Sequence, residues 1–167
     1  GEFELMSYRL ATPVRPLIFV ECFIEQHRGS RIKFLIKVRS NFKKRLCASD
    51  VVIRIPVPPD SDSPLFSLST GHAEYHPETD SIIWKIKQLP GQKEQIMRAQ
   101  LGLPTITSDK TTHYLQTKPP IRVEFELPYF TISGIQVRYL KLSERSQYVA
   151  NHWVRYVTQS GDYEVRF

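Results

Sequence analysis

An all-β chain, folded as an antiparallel immunoglobulin-like β-sandwich, is what this sequence predicts, and three observations carry the prediction. Apolar and polar residues alternate with period two through most of the chain, so each run has one side for a core and one for water. Twelve Pro and seven Gly fall mostly between those runs, where turns need them. No segment shows a convincing helical stripe of apolar residues. Short strands at regular spacing with such punctuation describe a sandwich.

Residues 3–8 read as a first strand, stopped by Pro13 and Pro16. Residues 17–26 follow, with Ile18, Val20, Cys22 and Ile24 on one face. Arg28-Gly29-Ser30 is a turn signal. Ile32, Phe34, Ile36 and Val38 then alternate with Arg31, Lys33, Lys37 and Arg39, broken only by Leu35, as a half-buried antiparallel strand does. After a polar link containing Lys43-Lys44-Arg45, Val51, Ile53, Ile55 and Val57 repeat the arrangement. Residues 82–87 make a further strand, with Ile82, Trp84 and Ile86 facing one way, and residues 97–103 and 121–127 alternate again. The polar, aperiodic stretch 105–118 reads as a mobile loop. Residues 135–140 and 153–158 are the last two runs, closed by Ser160-Gly161. Alternation puts Trp153, Arg155 and Val157 on one face and Val154 and Tyr156 on the other.

With 167 residues the chain is one domain by size, or one elongated domain with two lobes, and 41% apolar residues suffice for a core. No run approaches the apolar length of a membrane span, and the first residues lack a signal-peptide layout. Gly1 reads as something other than the natural start. Cys22 and Cys47 have no metal-like spacing, which predicts two buried or free thiols in a reducing compartment such as the cytosol. A net charge of +6 attracts anionic partners of any kind without choosing between them.

Catalysis needs a constellation that the sequence does not offer. The five His are scattered, and no metal spacing, nucleophile elbow, P-loop or dinucleotide turn is present, so no enzyme, metal or cofactor is expected. His72 and His76 stand four apart across Ala73-Glu74-Tyr75, in a strand or turn that separates them as a surface pair. Aromatic and basic residues interleave at Tyr75, Trp84, Lys85 and Lys87 and at Arg138, Tyr139 and Lys141, as in single-strand nucleic-acid binders. Those residues fall in ordinary amphipathic strands, however, and no RNA-binding signature occurs. An exposed Trp beside an Arg suits recognition. From the residues alone, peptide binding and nucleic-acid binding both stay open.

The string GIQVRYLK at 134–141, followed by WVRYVTQSGDYE at 153–164, resembles the end of the cargo-binding domain in the medium (mu) chain of clathrin adaptor complexes. GEFELMSYR at 1–9 resembles the same family at the matching place, so the resemblance spans the chain. It implies that residues 14–128 are an inserted second lobe, subdomain B. Residues 1–13 and 129–167 are then portions of the first lobe, subdomain A, which is incomplete here and carries the cargo-binding strand. It implies binding of Tyr-x-x-Φ tails (Φ a bulky apolar residue) by addition to a sheet edge. Trp153 and Arg155 match the tyrosine pocket, and Val137, Leu140 and Val154 the Φ pocket. A family segment before GEFELM supplies an aromatic and an acidic residue to the tyrosine pocket. The resemblance therefore predicts a half-built pocket that binds cargo barely in these 167 residues.

The implied partners are cargo tails, the other adaptor subunits, a recruiting small GTPase, clathrin indirectly and the membrane surface peripherally, with no nucleic acid. A lipid-binding lysine cluster of the plasma-membrane type is not matched. The string TGHAEYHPETDSIIWKIK at 70–87 keeps Lys85 and Lys87 as possible weak lipid contacts but places His72, Glu74 and His76 where lysines stand. With SGIQVRYLK, PVPPDSDSPLFS and PYFT, it resembles the trans-Golgi and endosomal type, cytoplasmic and peripheral on those membranes and on coated vesicles. The alternative reading is a basic β-sandwich that binds single-stranded nucleic acid or anionic lipid.

Overall fold

Period-two runs pair into two antiparallel sheets that close face to face. The computed structural model describes residues 1–27, 30–103, 109–143 and 151–167. Its strands are β1 (Ile18–His27), β2 (Arg31–Ser40), β3 (Cys47–Pro56), β4 (Asp62–Leu68), β5 (His72–His76), β6 (Ser81–Pro90), β7 (Glu94–Gly102), β8 (Ile121–Pro128), β9 (Val157–Gln159) and β10 (Glu164–Val165). One sheet runs β1-β2-β7-β4; the other runs β10-β8-β3-β6-β5, with β9 also on β8.

Alternation fills the space between the sheets. Ile32, Phe34, Ile36 and Val38 of β2 are buried with Val51, Ile53 and Ile55 of β3, Ile82, Trp84 and Ile86 of β6, and Ile121, Val123 and Phe125 of β8. Bulk meets small side chains across the ladders, Phe34 beside Ala99 and Trp84 beside Ala73, which lets the layers interdigitate. Each large side chain withdrawn from water contributes about 1.5–3 kcal/mol. The all-β sandwich expected from the sequence is the fold.

Four local expectations are corrected. Residues 3–8 form no strand: Phe3 and Leu5 are exposed, because an alternating run becomes a strand only where a sheet edge offers main-chain partners. Residues 135–140 form none either, for the same reason. Of residues 153–158 only the end is a strand, where Val157 and Thr158 reach β8.

The fourth correction is at 105–118, where Asp109–Thr117 is a helix, α1. Thr111 and Tyr114 turn inward together, and the Tyr114 hydroxyl donates to the Pro56 carbonyl at 2.8 Å. A stripe of Thr111, Tyr114 and Leu115 is too short and too polar to register as periodicity. Residues 104–108 of that stretch, residues 28 and 29 of the Arg28-Gly29-Ser30 turn, and residues 144–150 lie outside the described residues. No helix among the described residues is long and apolar enough to cross a membrane.

Both cysteines are free thiols. Burial pushes the Cys22 thiol up to about 12, with Lys118 drawing it weakly the other way. Because the thiolate is the reactive form, iodoacetamide at mildly alkaline pH is expected to spare Cys22 in the folded protein. Titration after denaturation should find both thiols; finding neither would overturn the reducing-compartment assignment.

Candidate functional site

The end of the chain is laid along the free edge of β8. Glu126 pairs with Gln159, Leu127 with Thr158 and Pro128 with Val157. Beyond the ladder the same two stretches stay joined. The Tyr129 N–H donates to the Tyr156 carbonyl at 2.7 Å, and the Thr158 hydroxyl donates to the Phe130 carbonyl at 2.7 Å. Ser160 holds the return, its hydroxyl accepting from the Phe125 N–H at 2.9 Å. Further along, Tyr163 packs edge-on against Phe125, with ring centroids 5.8 Å apart.

Tyr129 has φ +58°, a left-handed turn at the end of β8. Its exposed ring lies under the Arg155 guanidinium, 5.7 Å from Cζ to the ring centroid. Such a pair contributes roughly 0.5–1 kcal/mol at an exposed site, and it gives Arg155 a direction. On the opposite side of the same stretch, the Tyr156 hydroxyl accepts the Val137 N–H at 2.9 Å. Tyr8 ties in the first residues by donating to the Ser133 hydroxyl at 2.9 Å.

Trp153 is 75% exposed, Val137 47%, Val154 44% and Leu140 42%. The structure thus brings Val137 to the stretch carrying Trp153, Val154 and Arg155 through Tyr156, and places Leu140 three residues beyond that tie, outside any strand. Arg155 stacks on Tyr129, which sequence reasoning missed, as it missed the Tyr156 contact. Alternation did put Tyr156 on the face away from Arg155, but nothing in it joins that face to Val137. The result is an exposed ledge of phenol under guanidinium, with the exposed Trp153 indole two residues along the chain from Arg155. It lies beside main chain at 135–143 and 151–156 that belongs to no strand among the described residues. Chemically, a ledge of this kind can stack a planar or apolar side chain, offer a cation to its polar end, and accept an added strand.

Lys85 and Lys87 lie on the outer face of β6, which runs between β3 and β5 in the same sheet as β8. Glu74 of β5 stands between three basic groups: His72 Nε2 at 3.2 Å, His76 Nε2 at 3.5 Å and Lys85 Nζ at 3.5 Å. Lys85 above all, with the His72 and His76 imidazoles close by, holds the Glu74 carboxyl below its usual range. His72 and His76 stand at the two ends of β5 as the expected surface pair, and both reach this one carboxylate from the same face. Lys87 lines a shallow groove with Asp50, Val52 and His72. Because Lys85 already faces a carboxylate, reversing the charge of Lys85 and Lys87 is expected to change binding to phosphatidylinositol-bisphosphate vesicles little. Co-sedimentation measures it, and a large loss would mean that these lysines form a lipid site despite Glu74. Among the described residues no group of three or more His, Cys, Asp or Glu could hold a metal ion.

A two-sheet sandwich whose β8 edge presents this ledge is similar in fold to a mu homology domain. The zebrafish (Danio rerio) Fcho1 mu homology domain, solved with a bound Eps15 peptide, matches with a TM-score of 0.52 and 11% identity over 87% of this chain and 43% of that one. The profile of the Adaptor complexes medium subunit family matches residues 1–167, and the chain belongs to that family. Among similar relatives, AP-1 complex subunit mu-2 of Bos taurus is 52% identical over 166 residues, 99% of this chain and 38% of that protein. AP-1 complex subunit mu of Dictyostelium discoideum is 55% identical over 167 residues, with the same shares covered. The chain therefore spans less than half the length of these relatives.

Proposed function

We propose that this chain is the cargo-recognition part of a clathrin adaptor medium chain, non-enzymatic, and that it holds Tyr-x-x-Φ sorting signals in the cytoplasmic tails of membrane proteins. The observation that carries the reading is the Arg155 guanidinium over the exposed Tyr129 ring, with the exposed Trp153 two residues before it, beside main chain open to an added strand. Trp153 packs on the tyrosine ring of the signal and Arg155 meets its hydroxyl. Val137, Leu140 and Val154 line the Φ pocket. In the proposed division, residues 14–128 are the inserted lobe, and residues 1–13 and 129–167 belong to the cargo-binding lobe. The other adaptor subunits are partners, clathrin is engaged through them, and the work is transport between the trans-Golgi network and endosomes. Lys85 and Lys87 contribute at most a weak contact with the membrane surface. Identity of 52–55% to AP-1 mu subunits supports this choice over the basic nucleic-acid binder.

Calorimetry with a Tyr-x-x-Φ peptide, on the longest natural polypeptide that contains this sequence, tests the site. Arg155→Ala removes a hydrogen bond to a charged group, about 1.5–3 kcal/mol, so affinity should fall by roughly tenfold or more. Trp153→Ala should weaken binding comparably, and Lys43→Ala with Lys44→Ala should not, since those residues sit in the link between β2 and β3. Unchanged affinity in both Trp153→Ala and Arg155→Ala would remove the basis for the site.

A further inference from the structure

We propose that the outer face of the β1-β2-β7-β4 sheet is a separate docking site, which takes an extended segment of a partner protein carrying an acidic residue beside a bulky apolar one. A trough of about 520 Å³ crosses all four strands there, lined by Phe23, Lys33, Leu35, Leu65, Arg98 and Gln100 among others. Three interstrand spacings of about 4.8 Å make it roughly 14 Å long, the reach of about four extended residues. Its floor is apolar where most outward sheet faces are polar: Phe23 is 54% and Leu65 66% exposed, and Leu35 lies between β1 and β7.

Charge selects the occupant. Lys33 stands in register with Glu25, Lys37 with Glu21 and Arg39 with Glu94, close across the ladder although none of the three closes an ion pair among the described residues. Lys37 and Arg39 lie over the Phe23 and Phe19 rings. Arg98 has no carboxylate in register. Its cross-strand neighbours are Leu35 and Ser67, and among the described residues it makes no ion pair. An exposed guanidinium on an apolar floor is a fork for an incoming carboxylate, with Leu35 and Leu65 left to receive an adjacent apolar side chain, while the Phe23 ring at the far end carries the Lys37 ammonium at 5.7 Å. The site lies in the sheet that does not contain β8 and β9, so it stands or falls independently of the ledge.

Fluorescence anisotropy with a fluorescein-labelled peptide Gly-Ser-Glu-Asp-Phe-Leu-Ser-Gly, which carries no tyrosine, tests the proposal on the longest natural polypeptide that contains this sequence. Saturable binding is expected, weakened about tenfold or more by Arg98→Glu, by Leu65→Asp and by changing the peptide's acids to amides. Arg98 and Leu65 are exposed, so both variants should keep the wild-type melting curve. Three results would each overturn the proposal. One is no saturation up to millimolar peptide, and another is undiminished binding in Arg98→Glu. The third is sedimentation equilibrium showing a wild-type dimer that Leu65→Asp dissolves, which would make a second copy of the chain the occupant.

Discussion

Replacing Trp84 with alanine is expected to lower the melting temperature by roughly 10–15 °C. Trp84 is fully buried in β6 between Ile53 of β3 and Ala73 of β5, in the middle of the second sheet. Removing a buried Trp side chain costs about 3–5 kcal/mol, and in a domain of this size each kcal/mol shifts the midpoint by about 2–4 °C. The indole also donates from Nε1 to the Thr70 carbonyl at 2.9 Å. Trp84→Phe keeps most of the apolar contact and loses only that bond, a smaller cost of about 1–2 kcal/mol. Thermal denaturation followed by circular dichroism separates the two. Equal midpoints for Trp84→Ala and wild type would show that the second sheet does not depend on this side chain.

Gly71→Ala should be nearly as damaging, for a reason of backbone geometry. Gly71 has φ +80°, and a Cβ there would stand 2.2 Å from the Lys85 carbonyl oxygen, a main-chain atom that cannot swing away. A left-handed conformation costs a non-glycine residue about 1–2 kcal/mol, and overpacking adds about 1–3 kcal/mol. Gly134 is the control, since it has φ +72° but open space around its Cβ position. Gly134→Ala should therefore show the conformational cost alone. If the two alanine variants melt together, the close approach of the turn to β6 contributes nothing.

Six strands were legible because their signal is local and repeated, β1 (Ile18, Val20, Cys22 and Ile24 on one face) among them. β1, β2, β3, β6, β7 and β8 each carry three or more apolar residues at every second position, and burial on one face needs no further information. β4 and β5 were not legible. β4 is exposed or half-buried along its whole length, and β5 offers only Ala73 and Tyr75 to the core, too few positions to establish a period. α1 escaped similarly, because Tyr114 is inward-facing only through what it finds, the Pro56 carbonyl of β3.

The candidate site divides along the same line. Residue type and alternation alone singled out Trp153 and Arg155 as a recognition pair, and the strings around them carried the family. Alternation also predicted strands at 3–8 and 135–140, which did not form, since a strand is a property of two stretches and a sequence shows only one of them at a time. Tyr129 under Arg155, Tyr156 on the Val137 N–H and Glu74 among His72, His76 and Lys85 are the contacts that give the surface its chemistry. Sequence by itself determined the layers, the core and the identity of the exposed aromatic and basic residues, because those follow from one-dimensional periodicity and hydrophobic burial. Only the tertiary structure decided which charges meet a partner and which, like Arg98, do not, because that depends on the strand that pairing brings alongside.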